Sequence, residues 1–284
     1  MNMIKIDRKR EVLSLITDIS YASVPFWYGA TRRDLKMDII VPKVREGHAA
    51  CPCIVWICGG AFMVNDKSVW LPEMMDFARA GYIAASVEYR TSNDAPFPAP
   101  LMDIKAALRY LKAHAGEFCI DPGRIAVMGE SAGGTLASLA GLTAGMQEYE
   151  TGDYTEYSSE VQAVVDLYGL TDLTIMAEDY VFSQSVPDWT IRSFLGAETY
   201  EQNLLKASAV NCVSPSAPPF MILHGAADQV CPPENSIRLN EALKKAGVYT
   251  ECYFLEGAQH GDDRFYQPEM IKMILDFLKK TIGA

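Results

Sequence analysis

The chain has 284 residues, 49% of them hydrophobic and 21% charged, which excludes a disordered, collagen-like or coiled-coil protein and supplies material for a large core. Acidic residues exceed basic ones, 36 against 25, for a formal net charge of −11. That excess repels phosphate backbones and anionic membrane surfaces, so neither nucleic acid nor a membrane is an expected partner.

Seven cysteines form an odd set with no C-x-x-C pair, a pattern that predicts reduced, partly buried thiols and no metal site. The N-terminal stretch carries only a short apolar run, Val12 to Ile16, interrupted by Ser14. It does not read as a secretory signal. No apolar stretch approaches the ~20 residues of a membrane span, and a cytoplasmic location is the expectation.

In chain order, Leu35 to Val41 reads as a strand and Cys53 to Ile57 as a buried strand ending at Gly59-Gly60. Ser68 to Ala80 puts Trp70, Met74 and Phe77 at helical spacing, and Tyr82 to Val87 returns to strand. Pro100 opens a helix with Leu101, Ile104, Leu108 and Leu111 on one face, after a proline-rich crossover from Thr91. Ile125 to Met128 is a strand, Gly129-Glu130-Ser131 a tight turn, and Gly133 to about Ala144 a small-residue helix. Val164 to Tyr168, Phe220 to Leu223 and Thr250 to Phe254 are further strands; Pro233 to Ala246 and Pro268 to Ile282 are helices. Alternation of this kind predicts an α/β fold, a mostly parallel sheet with helices on both faces. Some fifty residues between Gly169 and Pro219 break the rhythm, with helical fragments around Thr190 to Leu195 and Tyr200 to Ala207. Inserts of that size tend to be lids, and residues 171–214 are expected to form a small cap on a single domain spanning 1–284.

The sharpest chemical signal is Gly129-Glu130-Ser131-Ala132-Gly133, a G-x-S-x-G pattern between an apolar strand and a small-residue helix, the setting of a nucleophile elbow. A serine hydroxyl needs a base, itself oriented by an acid. Of the four histidines, His48 and His114 read as solvent-facing and His224 as a structural strand-end residue. His260, on a glycine-flanked loop after the last strand, is the candidate base. Asp228, after the preceding strand, is the candidate acid, with Asp262 and Asp263 as rivals beside the base. The order Ser131, Asp228, His260 is that of an α/β hydrolase. Cys58-Gly59-Gly60-Ala61-Phe62 follows the strand Cys53 to Ile57, and its glycines let backbone N–H groups face a developing oxyanion.

With these stretches, together with Arg33 to Ile39, Asp66-Lys67-Ser68, Glu88-Tyr89-Arg90, Ala95 to Ala99, Asp121 to Ile125 and Gly257 to Gly261, nearly the whole chain resembles the α/β-hydrolase esterases related to hormone-sensitive lipase. It resembles more closely their feruloyl/acetyl-esterase-like branch from bacteria that degrade plant cell walls. The resemblance implies an α/β-hydrolase fold with an eight-stranded sheet, and oxyanion donors at the N–H groups of Gly60, Ala61 and Ala132. One position departs: those esterases begin the oxyanion loop with histidine, where this chain has Cys58, and a thiol is a poorer hydrogen-bonding group for holding that loop.

The expected activity is therefore a serine carboxylesterase acting through an acyl-enzyme without metal or organic cofactor. Phe62, Trp189, Tyr180 and Phe182 are candidate substrate-binding residues, with Phe194, Phe26 and Trp27 as further aromatic wall; packing within the cap is the competing role for such rings. An apolar wall suits short acyl groups on aromatic or sugar alcohols, so a small-molecule ester, acetyl or feruloyl and carried on a saccharide in one version, is the expected partner. Homo-oligomerisation stays open. Two rival functions remain: amide or formamide hydrolysis on the same scaffold, and a non-catalytic ligand-binding homologue in which Cys58 marks decay of the loop.

Overall fold

The computed structural model describes residues 3–283 apart from 8, 28 and 178–188. Its elements in chain order are β1 (Leu13–Phe26), β2 (Thr31–Pro42), β3 (Cys51–Ile57), α1 (Leu71–Arg79), β4 (Ile83–Val87), α2 (Ala99–Ala113), α3 (Ala115–Phe118), β5 (Ile120–Glu130), α4 (Ala132–Leu142) and β6 (Ala163–Leu167). There follow α5 (Thr174–Ala177), α6 (Trp189–Leu195), α7 (Tyr200–Lys206), β7 (Phe220–Gly225), α8 (Glu234–Lys245), β8 (Thr250–Leu255) and α9 (Pro268–Thr281). Eight strands form one sheet in the order β1-β2-β4-β3-β5-β6-β7-β8. β2 runs antiparallel to both its neighbours and every other pairing is parallel. This is the α/β-hydrolase fold.

The apolar runs of the inner strands follow from burial on both faces. In β3, Cys53, Val55 and Ile57 enter one core layer while Ile54 and Trp56 enter the other, so polar residues have no place in the alternation. The first layer is closed by α2, α4 and α8 through Leu101, Ile104, Leu136, Leu139 and Leu239. The second is closed by α1 and α9 through Met74, Phe77, Ile274 and Phe277. β3 and β5 are direct neighbours, with Ile57 opposite Gly129 at their carboxyl ends.

Besides longer β2 and β5, the structure departs from the sequence reading at α1 and β1. α1 begins at Leu71 and not Ser68, because Asp66 Oδ1 accepts the Ser68 N–H at 2.9 Å and its hydroxyl at 2.6 Å, folding the preceding residues into a turn. β1 has no counterpart among the strands read from the sequence. Its register shifts between Ile16 and Ile19 and between Ser20 and Ala22, so its apolar residues lose the period of two. At the first shift Asp18 takes φ 58°; its N–H bonds Asp38 Oδ1 at 2.9 Å, and Lys67 Nζ bridges the two carboxylates at 3.2 and 3.1 Å.

Between β6 and β7, α6 and α7 occupy the two expected helical fragments. α6 buries Ile191, Phe194 and Leu195. The segment is tied to the Thr91–Pro100 crossover: the Phe97 N–H donates to Phe194 O at 2.6 Å, and Asn203 Nδ2 donates to Phe97 O at 3.1 Å and to Leu195 O at 2.8 Å. No helix among the described residues is long and apolar enough to cross a membrane.

Candidate active site

β5 ends at Glu130, and Ser131 turns the chain into α4 with φ 55° and ψ −122°. A side chain in that region is strained and persists only where its surroundings hold it. Here the Ser131 N–H donates to Leu167 O at 2.9 Å, and α4 lies so close to β3 that a Cβ on Gly133 would fall 2.0 Å from Ile57 O. Glycine at 133 is thus a requirement of close approach.

Three loops at the carboxyl ends of β5, β7 and β8 bring Ser131, Asp228 and His260 together. His260 Nε2 lies 2.9 Å from Ser131 Oγ, and His260 Nδ1 lies 2.7 Å from Asp228 Oδ2. A carboxylate only accepts, so Nδ1 carries the proton and Nε2 of the neutral ring is left to accept the serine hydroxyl. The Asp228 side chain is fully buried. Burial alone would raise its carboxyl, but hydrogen bonds from His224, His260 and the Cys231 N–H hold it well below the usual carboxylate range. Oδ1 accepts the N–H groups of Val230 and Cys231 at 2.8 and 2.9 Å.

Asp262 is engaged elsewhere, accepting the Arg264 N–H at 3.0 Å at the start of a short 3₁₀ turn over Asp263–Tyr266. His48 pairs with Glu11, and His114 with Glu117 and Tyr154. His224 is fully buried behind the acid: its Nε2 donates to Cys231 O at 2.9 Å and stands 3.4 Å from Asp228 Oδ2, while Nδ1 meets Ser236 Oγ at 2.6 Å.

The loop after β3 has positive φ at Gly60, Ala61 and Phe62 in succession (127°, 53° and 61°). Two of these carry side chains, so the loop needs external support. Phe62 stacks on Phe194 of α6 with ring centroids 3.8 Å apart, and Ser92 N–H and Asn93 Nδ2 donate to Phe62 O and Met63 O, each at 2.8 Å. Tyr89 Oη donates to Cys58 O at 2.7 Å. The Glu130 carboxylate, 8% exposed, accepts the Gly59 N–H and, at 3.2 Å, Trp70 Nε1–H. Burial pushes the Cys58 thiol up to about 12, with the Glu130 charge adding to it; it is protonated and unfit as a nucleophile near neutral pH. Ala132 opens α4, where the first N–H groups of a helix lack intrahelical acceptors. An oxyanion beside Ser131 would meet these donors and the positive end of the helix.

A recess of about 20 Å³ is lined by Ala61, Phe62, Ser131, Ala132, Leu170, Thr190, Ile191 and Val230. Of the aromatic residues expected at the substrate, Phe62 is buried by its stack and forms part of this wall. Trp189 is 53% exposed at the start of α6. Phe26 lies under the Arg33 guanidinium at 5.4 Å and Trp27 is exposed. Tyr180 and Phe182 fall outside the described residues. The sequence reading assigned no role to Glu130, Trp70, Tyr89, Tyr168 or Tyr266. Tyr168 sets its ring edge-on to His260 at 4.8 Å, its Oη meets Tyr266 Oη at 2.7 Å, and Tyr266 stacks on Trp70 at 4.3 Å.

The model of the BD-FAE family matches residues 37–243. A probable carboxylic ester hydrolase of Mycobacterium tuberculosis, LipM, is 33% identical over 237 residues, covering 81% of this chain and 54% of that protein. The chain spans about half the length of the curated relatives it matches. Among solved structures, a truncated carbohydrate esterase from gut microbiota superposes with a TM-score of 0.78 at 28% identity, over 94% of this chain and 95% of that one. An acetyl ester-xyloside bifunctional hydrolase from Caldicellulosiruptor lactoaceticus gives 0.76 at 25% identity, over 92% and 96%.

Proposed function

The chain belongs to the BD-FAE family, and on that premise we propose that it is a serine carboxylesterase of short-acyl esters, a single domain over 1–284 with residues 171–214 as its cap. The observation that carries the reading is the hydrogen-bonded line from Ser131 through His260 to Asp228 beside a small recess. Ser131 Oγ attacks the ester carbonyl carbon while His260 Nε2 takes its proton. Asp228 keeps the ring in the required tautomer and balances the imidazolium charge. The N–H groups of Gly60, Ala61 and Ala132 receive the oxyanion. Collapse expels the alcohol, to which His260 returns the proton, leaving an acyl group on Ser131. Water, deprotonated by the same imidazole, then releases the acid.

The recess beside Ser131 is small and lined mostly by apolar side chains, which favours short acyl groups, acetyl to butyryl, over feruloyl and both over long chains. The names of the similar structures, a carbohydrate esterase and an acetyl ester-xyloside hydrolase, support an acylated saccharide as substrate.

Labelling with a fluorophosphonate tests the nucleophile, and paired p-nitrophenyl esters and anilides test the bond cleaved. The expected result is a single adduct on Ser131, with kcat/KM highest for acetyl to butyryl esters. An adduct at another residue overturns the assignment. Anilides cleaved faster than esters would establish an amidase, and a rate rising out to chains of eight carbons would rule out the short acyl pocket.

A further inference from the structure

Ser131, His260 and Asp228 account for proton transfer, but the loop that must present N–H groups to the oxyanion has no histidine at its head. Cys58 stands there, buried and protonated. Its carbonyl is held by Tyr89 Oη. The next residue is held from below, by the side chain in the variable position of the elbow itself: Glu130 Oε1 accepts the Gly59 N–H across 71 residues of sequence.

The fit is close enough to dictate the residue opposite. A Cβ on Gly59 would lie 2.5 and 2.6 Å from the two carboxylate oxygens and 2.6 Å from Glu130 O, so only glycine lets the loop settle on that carboxylate. The same Oε1 accepts Trp70 Nε1–H, and Trp70 leads through its stack on Tyr266 and the Tyr266–Tyr168 hydrogen bond to the Tyr168 ring, in T-shaped contact with His260. Glu130 is thereby fixed from two sides. An ionisable group 8% exposed costs desolvation, and an apolar residue would fill this space without that cost.

We infer that Glu130 is a positioning residue for the oxyanion loop, its carboxylate oxygen setting Gly59 and hence the N–H groups of Gly60 and Ala61 in the place that the family histidine would otherwise secure. This rests on the serine-esterase reading above. A donor held in position acts on the transition state more than on bound substrate, so its loss falls on kcat.

The test compares Glu130→Met, which fills the space without an acceptor, with Glu130→Gln, whose amide oxygen can still accept from Gly59 and Trp70. kcat of Glu130→Met should fall about ten- to a hundredfold, less than the loss on removing an oxyanion donor outright, with KM within about twofold. Affinity for a trifluoromethyl ketone that adds to Ser131 should fall with kcat, while Glu130→Gln stays within about threefold of wild type on all three measures. Glu130→Met at wild-type kcat, a loss confined to KM, or Glu130→Gln as damaged as Glu130→Met would each overturn the inference, the last by showing that charge and not the acceptor matters.

A measurement on the unaltered protein stands independently of how the variants fold. The Gly59 amide proton should exchange slowly in wild type and faster in Glu130→Met; fast exchange in wild type also overturns the inference. Fluorophosphonate labelling of Ser131 is run alongside: a wild-type protein that neither labels nor hydrolyses esters defeats the esterase reading, whereas the Gly59 signal still decides whether Glu130 holds the loop.

Discussion

The elbow and the loop proposed to receive the oxyanion face each other at the carboxyl ends of adjacent strands, yet they are stabilised in opposite ways. Ser131 holds its positive φ through its own neighbourhood, an N–H bond to Leu167 O on the next strand and glycines that let α4 press against β3. Ala61 and Phe62 hold theirs through side chains brought from far along the chain: Phe194 from α6, Asn93 from the crossover, Tyr89 after β4 and Glu130 at the end of β5. Damage to the first should therefore abolish chemistry while leaving the fold intact. Damage to the second should be graded, and part of it should appear as lost stability.

The largest expected effect lies on the elbow. Ser131→Ala should lower kcat by a factor on the order of 10⁶ with an unchanged unfolding midpoint, read by active-site titration and calorimetry on one preparation. Asp228→Asn should cost about 10⁴ in kcat because the ring adopts the wrong tautomer, while Asp262→Asn, altering a turn, stays within about threefold; a reversed ranking in steady-state rates would move the acid to Asp262. On the loop side, Phe194→Ala opens a cavity against Phe62 and should destabilise the protein by about 3–5 kcal/mol in denaturant titration, with kcat reduced in the fraction that remains folded. Tyr89→Phe removes only the tether to Cys58 O. It should lower kcat about three- to tenfold with KM unchanged, since a donor hydrogen bond of roughly 0.5–1.5 kcal/mol is lost.

The smallest effect concerns proton linkage. Burial raises the Glu130 carboxyl, so the folded state binds its proton more tightly than the unfolded chain, where the value is about 4.3. Stability is then lost as pH climbs from about 4.3 through the folded value. Glu130→Gln lacks that loss, and its unfolding midpoint relative to wild type should be higher at pH 7 than at pH 4. A difference that does not change between the two pH values would mean that the buried carboxyl titrates alike in both states.

The same contrast separates what the sequence reveals from what it hides. β3 to β7 are readable because two-sided burial leaves mostly apolar runs, and Ser131, Asp228 and His260 are readable because each follows a strand on a glycine-marked loop. β1 is not, because two register shifts erase its period. Glu130 sits in one of the two positions of its motif that the pattern leaves free, and nothing local announces that Gly59 and Trp70 converge on it. Tyr168 and Tyr266 meet across 98 residues of sequence. Partners chosen by tertiary folding leave no period and no spacing to detect.

The pairing of Ile57 with Gly129 makes the sheet a ruler for the reaction. Nucleophile and oxyanion loop leave neighbouring parallel strands on the same rung, and the distance between them is inherited from a strand spacing of about 4.8 Å that all parallel ladders share. Among the described residues, the segment between β6 and β7 meets this gauge through Phe194 on Phe62 and through Thr190 and Ile191 in the recess wall. On the proposed esterase reading, which ester is accepted and how it is cleaved are written in separate parts of the chain, and a replaced cap that preserves an aromatic ring against Phe62 would inherit the chemistry intact while drawing a different substrate to it.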